Sequence, residues 1–212
     1  MSGRRPNELK RAAGAMAFFL LGGTAAAALS LASRPQHAAI AATRPQALVS
    51  TNRIEVSAPD LRRAIEAGLV DQPIKSVLNV PGRMQYGDFI WDERGIPAGR
   101  TSIRVDLKSQ LISVFRSGHE IGTAVILYGA DSVPTPVGKF PILAKLKDHR
   151  SATYDAPMPY TLRLTADGVS IHASDVRWGF ATHGCIGVPR DFAMKLFAAT
   201  SVGDEVFIVS RS

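Results

Sequence analysis

The chain has 212 residues, 46% of them apolar, enough for one medium-sized packed domain and an appendage. Its net charge of +7 and pI near 9.9 invite a nucleic-acid reading, but residues 1–32 carry +3 of that charge. The rest has no long basic run and no recognisable nucleic-acid module, so nucleic acid is not an expected partner and the basicity suits an anionic cell-wall environment.

Arg4, Arg5, Lys10 and Arg11 precede Ala12 to Ala32, a run without a charge that includes Phe18, Phe19, Leu20 and Leu21. A basic segment ahead of a long apolar one is the pattern of an export signal. About 20 apolar residues span a bilayer, which leaves two outcomes open for residues 1–32. One is a membrane anchor through residues 12–32. The other is a signal cleaved at small residues, Ser30-Leu31-Ala32 or Ile40-Ala41-Ala42. Either puts residues 33–212 outside the cytoplasm, in the periplasm or cell envelope. Arg4-Arg5 followed by Pro6-Asn7-Glu8 fits a twin-arginine signal poorly. Export gives Cys185 its meaning. As the only cysteine it cannot form an internal disulfide, so its thiol is either inert or reactive.

Residues 33–56 are rich in Ala, Pro and Gln without a hydrophobic period and read as a flexible tether. A lead-in covers 57–100. It opens with a short helix, Pro59 to Ala67, striped by Leu61, Ala64 and Ile65 and ended by Gly68, and adds one strand at Phe89-Ile90-Trp91. From Thr101 the strand signals become dense. Ile103, Val105 and Leu107 alternate, Lys108-Ser109-Gln110 turns the chain, and Leu111 to Phe115 returns as a hairpin partner. Further strands are expected at Ile121 to Tyr128, Lys139 to Leu146, Tyr160 to Leu164, Val169 to His172 and Glu205 to Val209. A helix after Pro189 carries Phe192, Leu196 and Phe197 on one face. These elements make a mainly β domain with one late helix.

Three stretches carry chemistry: Thr135-Pro136-Val137-Gly138-Lys139-Phe140, Gly168-Val169-Ser170-Ile171-His172, and Thr182-His183-Gly184-Cys185-Ile186-Gly187-Val188. To attack a carbonyl, a thiol must become a thiolate, which needs a base or a positive field. The N-terminus of the late helix is one candidate for that field. Gly184 lets the backbone approach a substrate, so nearby N–H groups can cradle an oxyanion. His172 and His183 are the candidate bases, and His172, delivered by a separate strand, is the better placed. No fourth residue at short spacing joins His172, His183 and Cys185, so a metal is not expected.

His172 followed by Thr182-His183-Gly184-Cys185-Ile186 resembles the signature of the L,D-transpeptidase (YkuD) family: a histidine, a spacer, then [Ser/Thr]-His-Gly-Cys-[Ile/Val]. Thr135-Pro136-Val137-Gly138-Lys139-Phe140 is similar to that family's upstream turn, and Met158-Pro159-Tyr160 to a segment ahead of its histidine strand. The resemblance runs from about Thr101 to Val209. It implies a β-sandwich-like catalytic domain over 101–212 that transfers acyl groups between peptidoglycan stem peptides, as a monomer and without a cofactor. Cys185 would be the nucleophile and His172 its base, oriented by the carbonyl of Ala173. N–H groups around His183, Gly184 and Cys185 would form the oxyanion hole, and Tyr160 would line the donor groove; Thr182 and Arg190 are further candidates for contact with substrate.

Two departures stand out. Gly187 occupies a place where many members carry Arg, with Arg190 three positions later. His172 and Cys185 are only 13 positions apart, which trims the loop around Trp178. Hydrolysis by the same residues and non-catalytic wall binding are the alternatives, and the intact His172–Cys185 pair argues against the second.

Overall fold

The computed structural model of the chain describes residues 47–48, 53–68, 70, 72–130 and 132–210. The signal-or-anchor segment 1–32 and most of the tether lie outside them. Contacts divide the chain between Ala41 and Ala42, and every described residue belongs to the second unit. Among the described residues, no helix is long and apolar enough to cross a membrane.

The described chain begins as strands β1 (Ala47–Leu48) and β2 (Arg53–Glu55), both inside the stretch read as tether. Backbone pairing and one side chain hold β2, which is why no hydrophobic period marks it. It runs antiparallel to β3 (Ser76–Leu78), and the Arg53 guanidinium donates to the carbonyls of Glu120 and Asp92. Between β2 and β3 lies α1 (Ala58–Glu66), capped by Ser57, whose Oγ accepts from Asp60 N at 3.2 Å. Its apolar stripe does not enter the core: none of its residues is buried and Ile65 is 46% exposed.

The strand expected at Phe89 is β4 (Phe89–Trp91), parallel to β1 and antiparallel to β7 (His119–Val125). Ile90 is buried, and Phe89 belongs to the same core as the later strands. The predicted hairpin forms as β5 (Thr101–Asp106) and β6 (Leu111–Arg116), with Asp106 Oδ1 accepting from Lys108 N and Ser109 N at 3.1 and 3.2 Å. The larger sheet runs β1-β4-β7-β6-β5-β13-β8, where β8 is Gly138–Pro141 and β13 is Glu205–Val209.

A second sheet has the order β12-β11-β10-β9, comprising Ile186–Val188, Ser170–Ala173, Thr161–Arg163 and Ala144–Leu146. The single strand expected over Lys139 to Leu146 is therefore two strands in two sheets. The switch is visible in consecutive N–H groups: Ile142 donates to Asp204 O at 2.9 Å, and Leu143 to Arg163 O at 2.7 Å. Likewise, the strand expected over Ile121 to Tyr128 ends at Val125 because the chain crosses to the second sheet, where Leu127 exchanges two 2.9 Å bonds with Gly187. The late helix α2 (Arg190–Ala199) buries Phe192, Ala193 and Leu196. One apolar core draws on both sheets and α2, with Phe192 edge-on to Phe89 and Trp91 at 6.0 and 5.5 Å.

Candidate active site

Adjacent strands of the second sheet deliver the histidine and the residue that follows the cysteine. Strands β11 and β12 are parallel, with Ile171 opposite Ile186 and His172 opposite Gly187. Side chains alternate along a strand, so His172, Gly187 and the position two before Gly187, Cys185, fall on one face. His172 and Cys185 both line a cavity of about 730 Å³. Its walls come from within residues 133–136, 149–158, 163–170 and 182–185.

His172 is buried, at 9% exposure, and its Nδ1 lies 2.9 Å from the carbonyl oxygen of Ala173. A carbonyl only accepts, so Nδ1 carries the proton and Nε2 is left as the free acceptor. Ser174 Oγ stands 3.3 Å from the same Nδ1. Burial holds the imidazole below its ordinary 6.5, the bond to Ala173 opposes that shift, and His149 adds to it. The ring is a neutral base at neutral pH.

Cys185 is half-buried, with its Sγ 3.9 Å from Gly168 O. Burial pushes the thiol above its ordinary 9.0; a Ser170 backbone hydrogen bond lowers it, and the charge of Asp167 raises it further. The helix-terminus field expected from the sequence does not reach it. Strand β12 separates Cys185 from Arg190, five residues or roughly 16 Å of extended chain at about 3.3 Å per residue, whereas such a field fades within one helical turn. At rest, the pair is therefore a neutral thiol and a neutral imidazole.

Local sequence explains the loop's shape. Gly184 sits at φ +91°, where glycine carries no penalty, and turns the chain into Cys185. Thr182 donates its hydroxyl to Cys185 O, and its own N–H donates to Tyr128 O at 3.0 Å. The Thr135 turn braces the loop from behind, with Thr135 Oγ1 accepting from Gly129 N at 2.9 Å. A Cβ on Gly129 would lie 2.2 Å from Val133 O and 2.9 Å from Gly184 Cα. Gly129, which no motif marked, thus allows three backbone segments to meet behind the cysteine. Among the described residues, the N–H groups of His183 and Gly184 have no acceptor.

The remaining expected residues are not all brought together. His183 lines the cavity rim, exposed, with its ring stacked on Tyr154 at 4.3 Å and 24°. Thr182 also lines the cavity. Tyr160 and Arg190 do not: Tyr160, at φ +58°, turns toward α2, where it meets Phe197 edge-on at 5.9 Å and the Arg190 guanidinium at 5.7 Å. Their packing against each other and α2 sets both apart from the cavity lining. Met158, from the same motif, lines the cavity instead, together with Tyr154 and Arg163, which sequence reasoning did not single out.

Residues 100–208, just over half of the chain, match the family model of YkuD, the L,D-transpeptidase catalytic domain. The chain belongs to the YkuD family. Among curated proteins, this YkuD chain is 30% identical over 135 residues to L,D-transpeptidase 1 of Mycobacterium tuberculosis, covering 54% of this chain and 53% of that one. It spans about half the length of the curated relatives it matches. Solved structures similar to it include an L,D-transpeptidase (Yku) from Stackebrandtia nassauensis, 23% identical with a TM-score of 0.49 over 53% of this chain and 57% of that one. The catalytic domain of an E. faecium L,D-transpeptidase is 27% identical, with a TM-score of 0.44 over 51% of this chain and 96% of that one. At Gly187, this YkuD domain is closed to a larger residue, because a Cβ there would lie 2.7 Å from Ser174 Oγ.

Proposed function

We propose that the protein is a peptidoglycan L,D-transpeptidase working through a Cys185 thioester. One observation carries the reading: a carbonyl-oriented neutral His172 and the chain's only thiol line the same cavity. Cys185 Sγ attacks the carbonyl between the third residue of a tetrapeptide stem, a diamino acid, and its terminal D-alanine. His172 Nε2 takes the thiol proton as the S–C bond forms. The oxyanion accepts from backbone N–H groups of His183, Gly184 and Cys185. Collapse breaks the amide bond, and the proton held by His172 passes to the departing D-alanine amine. The amine of a neighbouring stem then attacks the thioester and gives up a proton to His172. That proton returns to Cys185 as the thiolate leaves.

With the imidazole held below its ordinary pKa and the thiol above its own, proton transfer to His172 accompanies attack. The basic and apolar residues 1–32 support delivery to the cell envelope, where the stems are. Incubation of the protein with tetrapeptide stems, followed by mass spectrometry, tests the reading. Cross-linked dimers with release of D-alanine are expected, and none from the Cys185→Ala variant. Trimmed tripeptides alone would make the protein a hydrolase; turnover by Cys185→Ala would end the thioester mechanism.

A further inference from the structure

We propose that Arg163 is the residue that binds a carboxylate of the donor stem. This rests on the reading just given. Strands β10 and β11 are antiparallel, with Arg163 opposite Ser170. Residues in register share a face, as do residues two apart, so Arg163, Ser170 and His172 project to the same side of the second sheet. All three line the cavity that holds Cys185. Leu162 and Ile171, on the opposite face, are buried in the core. Among the described residues lining that cavity, Arg163 is the sole lysine or arginine.

The guanidinium is held ready. Nε donates to Thr165 O at 3.1 Å and Nη2 to Ala166 O at 2.6 Å, so one edge of the planar group is fixed on the turn that leads to β11. Two of its five N–H donors are used there. The other edge, Nη1 with the second hydrogen of Nη2, keeps the parallel pair that matches a carboxylate. Arg163 forms no ion pair among the described residues. Asp167, on the same turn, also lines the cavity, and its carboxylate accepts from Thr165 Oγ1. The cavity therefore carries one preorganised cation, with less ordering to lose on binding than a free side chain. Arg190, expected from the sequence to face substrate, does not line the cavity and lies over the Tyr160 ring.

The test uses a tetrapeptide donor whose third residue is a diamino dicarboxylic acid, and compares versions amidated at the terminal D-alanine or at the free side-chain carboxylate of the third residue with the unmodified donor. For the wild-type protein, one amidation should raise KM by roughly 10- to 100-fold, the span expected for a hydrogen bond to a charged group. Which donor suffers identifies the carboxylate. Arg163→Gln should bring the free-carboxylate donor to the same KM while leaving the amidated donor unchanged, and Arg163→Lys should recover only part. Alkylation of Cys185 by neutral iodoacetamide should proceed at the wild-type rate in both variants. Equal losses on all donors, or slowed alkylation, would assign Arg163 to holding the turn and overturn the proposal. So would a wild-type protein indifferent to both amidations. None of these outcomes touches the thioester reading, which the Cys185→Ala experiment decides.

Discussion

Ser174 occupies the space that a side chain at Gly187 would need: a Cβ built there would lie 2.7 Å from Ser174 Oγ and 2.8 Å from Ser174 Cβ. The same Oγ is 3.3 Å from His172 Nδ1, and Ser174 N donates to Val188 O at 2.8 Å. Small size at 187 and a hydroxyl at 174 therefore belong together, and both border the base.

That fit makes Gly187→Ala a probe of the histidine. The backbone at 187 is not in the left-handed region, so the cost is steric. Overpacking of this kind typically costs about 1–3 kcal/mol, and the displaced Ser174 should disturb His172 and lower kcat. Combining Gly187→Ala with Ser174→Gly should restore most of the stability, measured by urea unfolding. If the double variant is as unstable as the sum of the two single variants, the two residues are not coupled through this contact.

The neutral resting pair sets a pH window. His172 has a folded-state pKa below its ordinary 6.5, so the unfolded chain binds the proton first and stability falls as pH drops below about 6.5. Cys185 is shifted the other way. Its stabilising contribution is complete below 9.0 and is lost as pH climbs through the raised folded-state value. Iodoacetamide should therefore react slowly at neutral pH and faster up to and beyond pH 9. A reactivity plateau between pH 5 and 7 would reveal a preformed thiolate–imidazolium pair and contradict the assignment.

Glu120 is a buried carboxyl away from the cavity, at 6% exposure, accepting from Leu78 N at 2.8 Å. Burial raises its pKa above the ordinary 4.5, against hydrogen bonds from Ser113 and Leu78 and the charge of Arg53. A raised carboxyl stabilises below its unfolded pKa, and that contribution is lost as pH rises through the folded value. Glu120→Gln keeps an acceptor for Leu78 N and removes the titration. Its stability relative to wild type should be more favourable at pH 8 than at pH 4, read from urea midpoints. The opposite trend would show that Arg53 and the hydrogen bonds outweigh burial.

The β5–β6 hairpin was legible because buried Ile103 and Val105 alternate with polar, half-buried neighbours and its turn is polar. The helix after Pro189 was legible from Phe192 and Leu196, and the belonging of the chain to the YkuD family from the cysteine and histidine motifs together. Strand β2 was not, since its pairing rests on backbone bonds and Arg53 rather than on burial, and Ile54 is 52% exposed. The break between Ile142 and Leu143 was hidden because an apolar run looks the same whether it serves one sheet or two. At the site, the Ala173 carbonyl was expected from resemblance, and its place beside His172 Nδ1 is what the fold supplies. Tyr160 faces away because its backbone sits at φ +58°, a conformation that its identity did not announce. Arg163 sits in an alternating Thr161-Leu162-Arg163-Leu164 pattern that marks a half-buried strand; which cavity its polar face meets depends on β11.

The place of β13 has a consequence for the order in which the molecule is completed. Its residues pair with β5 on one side, Glu205 opposite Ser102, and with β8 on the other, Glu205 opposite Pro141. A chain growing from its N-terminus has made the β5–β6 hairpin, the cysteine loop and α2 before this strand exists. Until residue 209 has emerged, β8 has no neighbour in the larger sheet, and Val206 and Ile208 are missing from the core beneath the second sheet. Contacts across about a hundred residues also form late, because long loops must close first. Synthesis alone thus leaves the larger sheet unfinished, with β5 and β8 each short of a neighbour, until β13 slots between them.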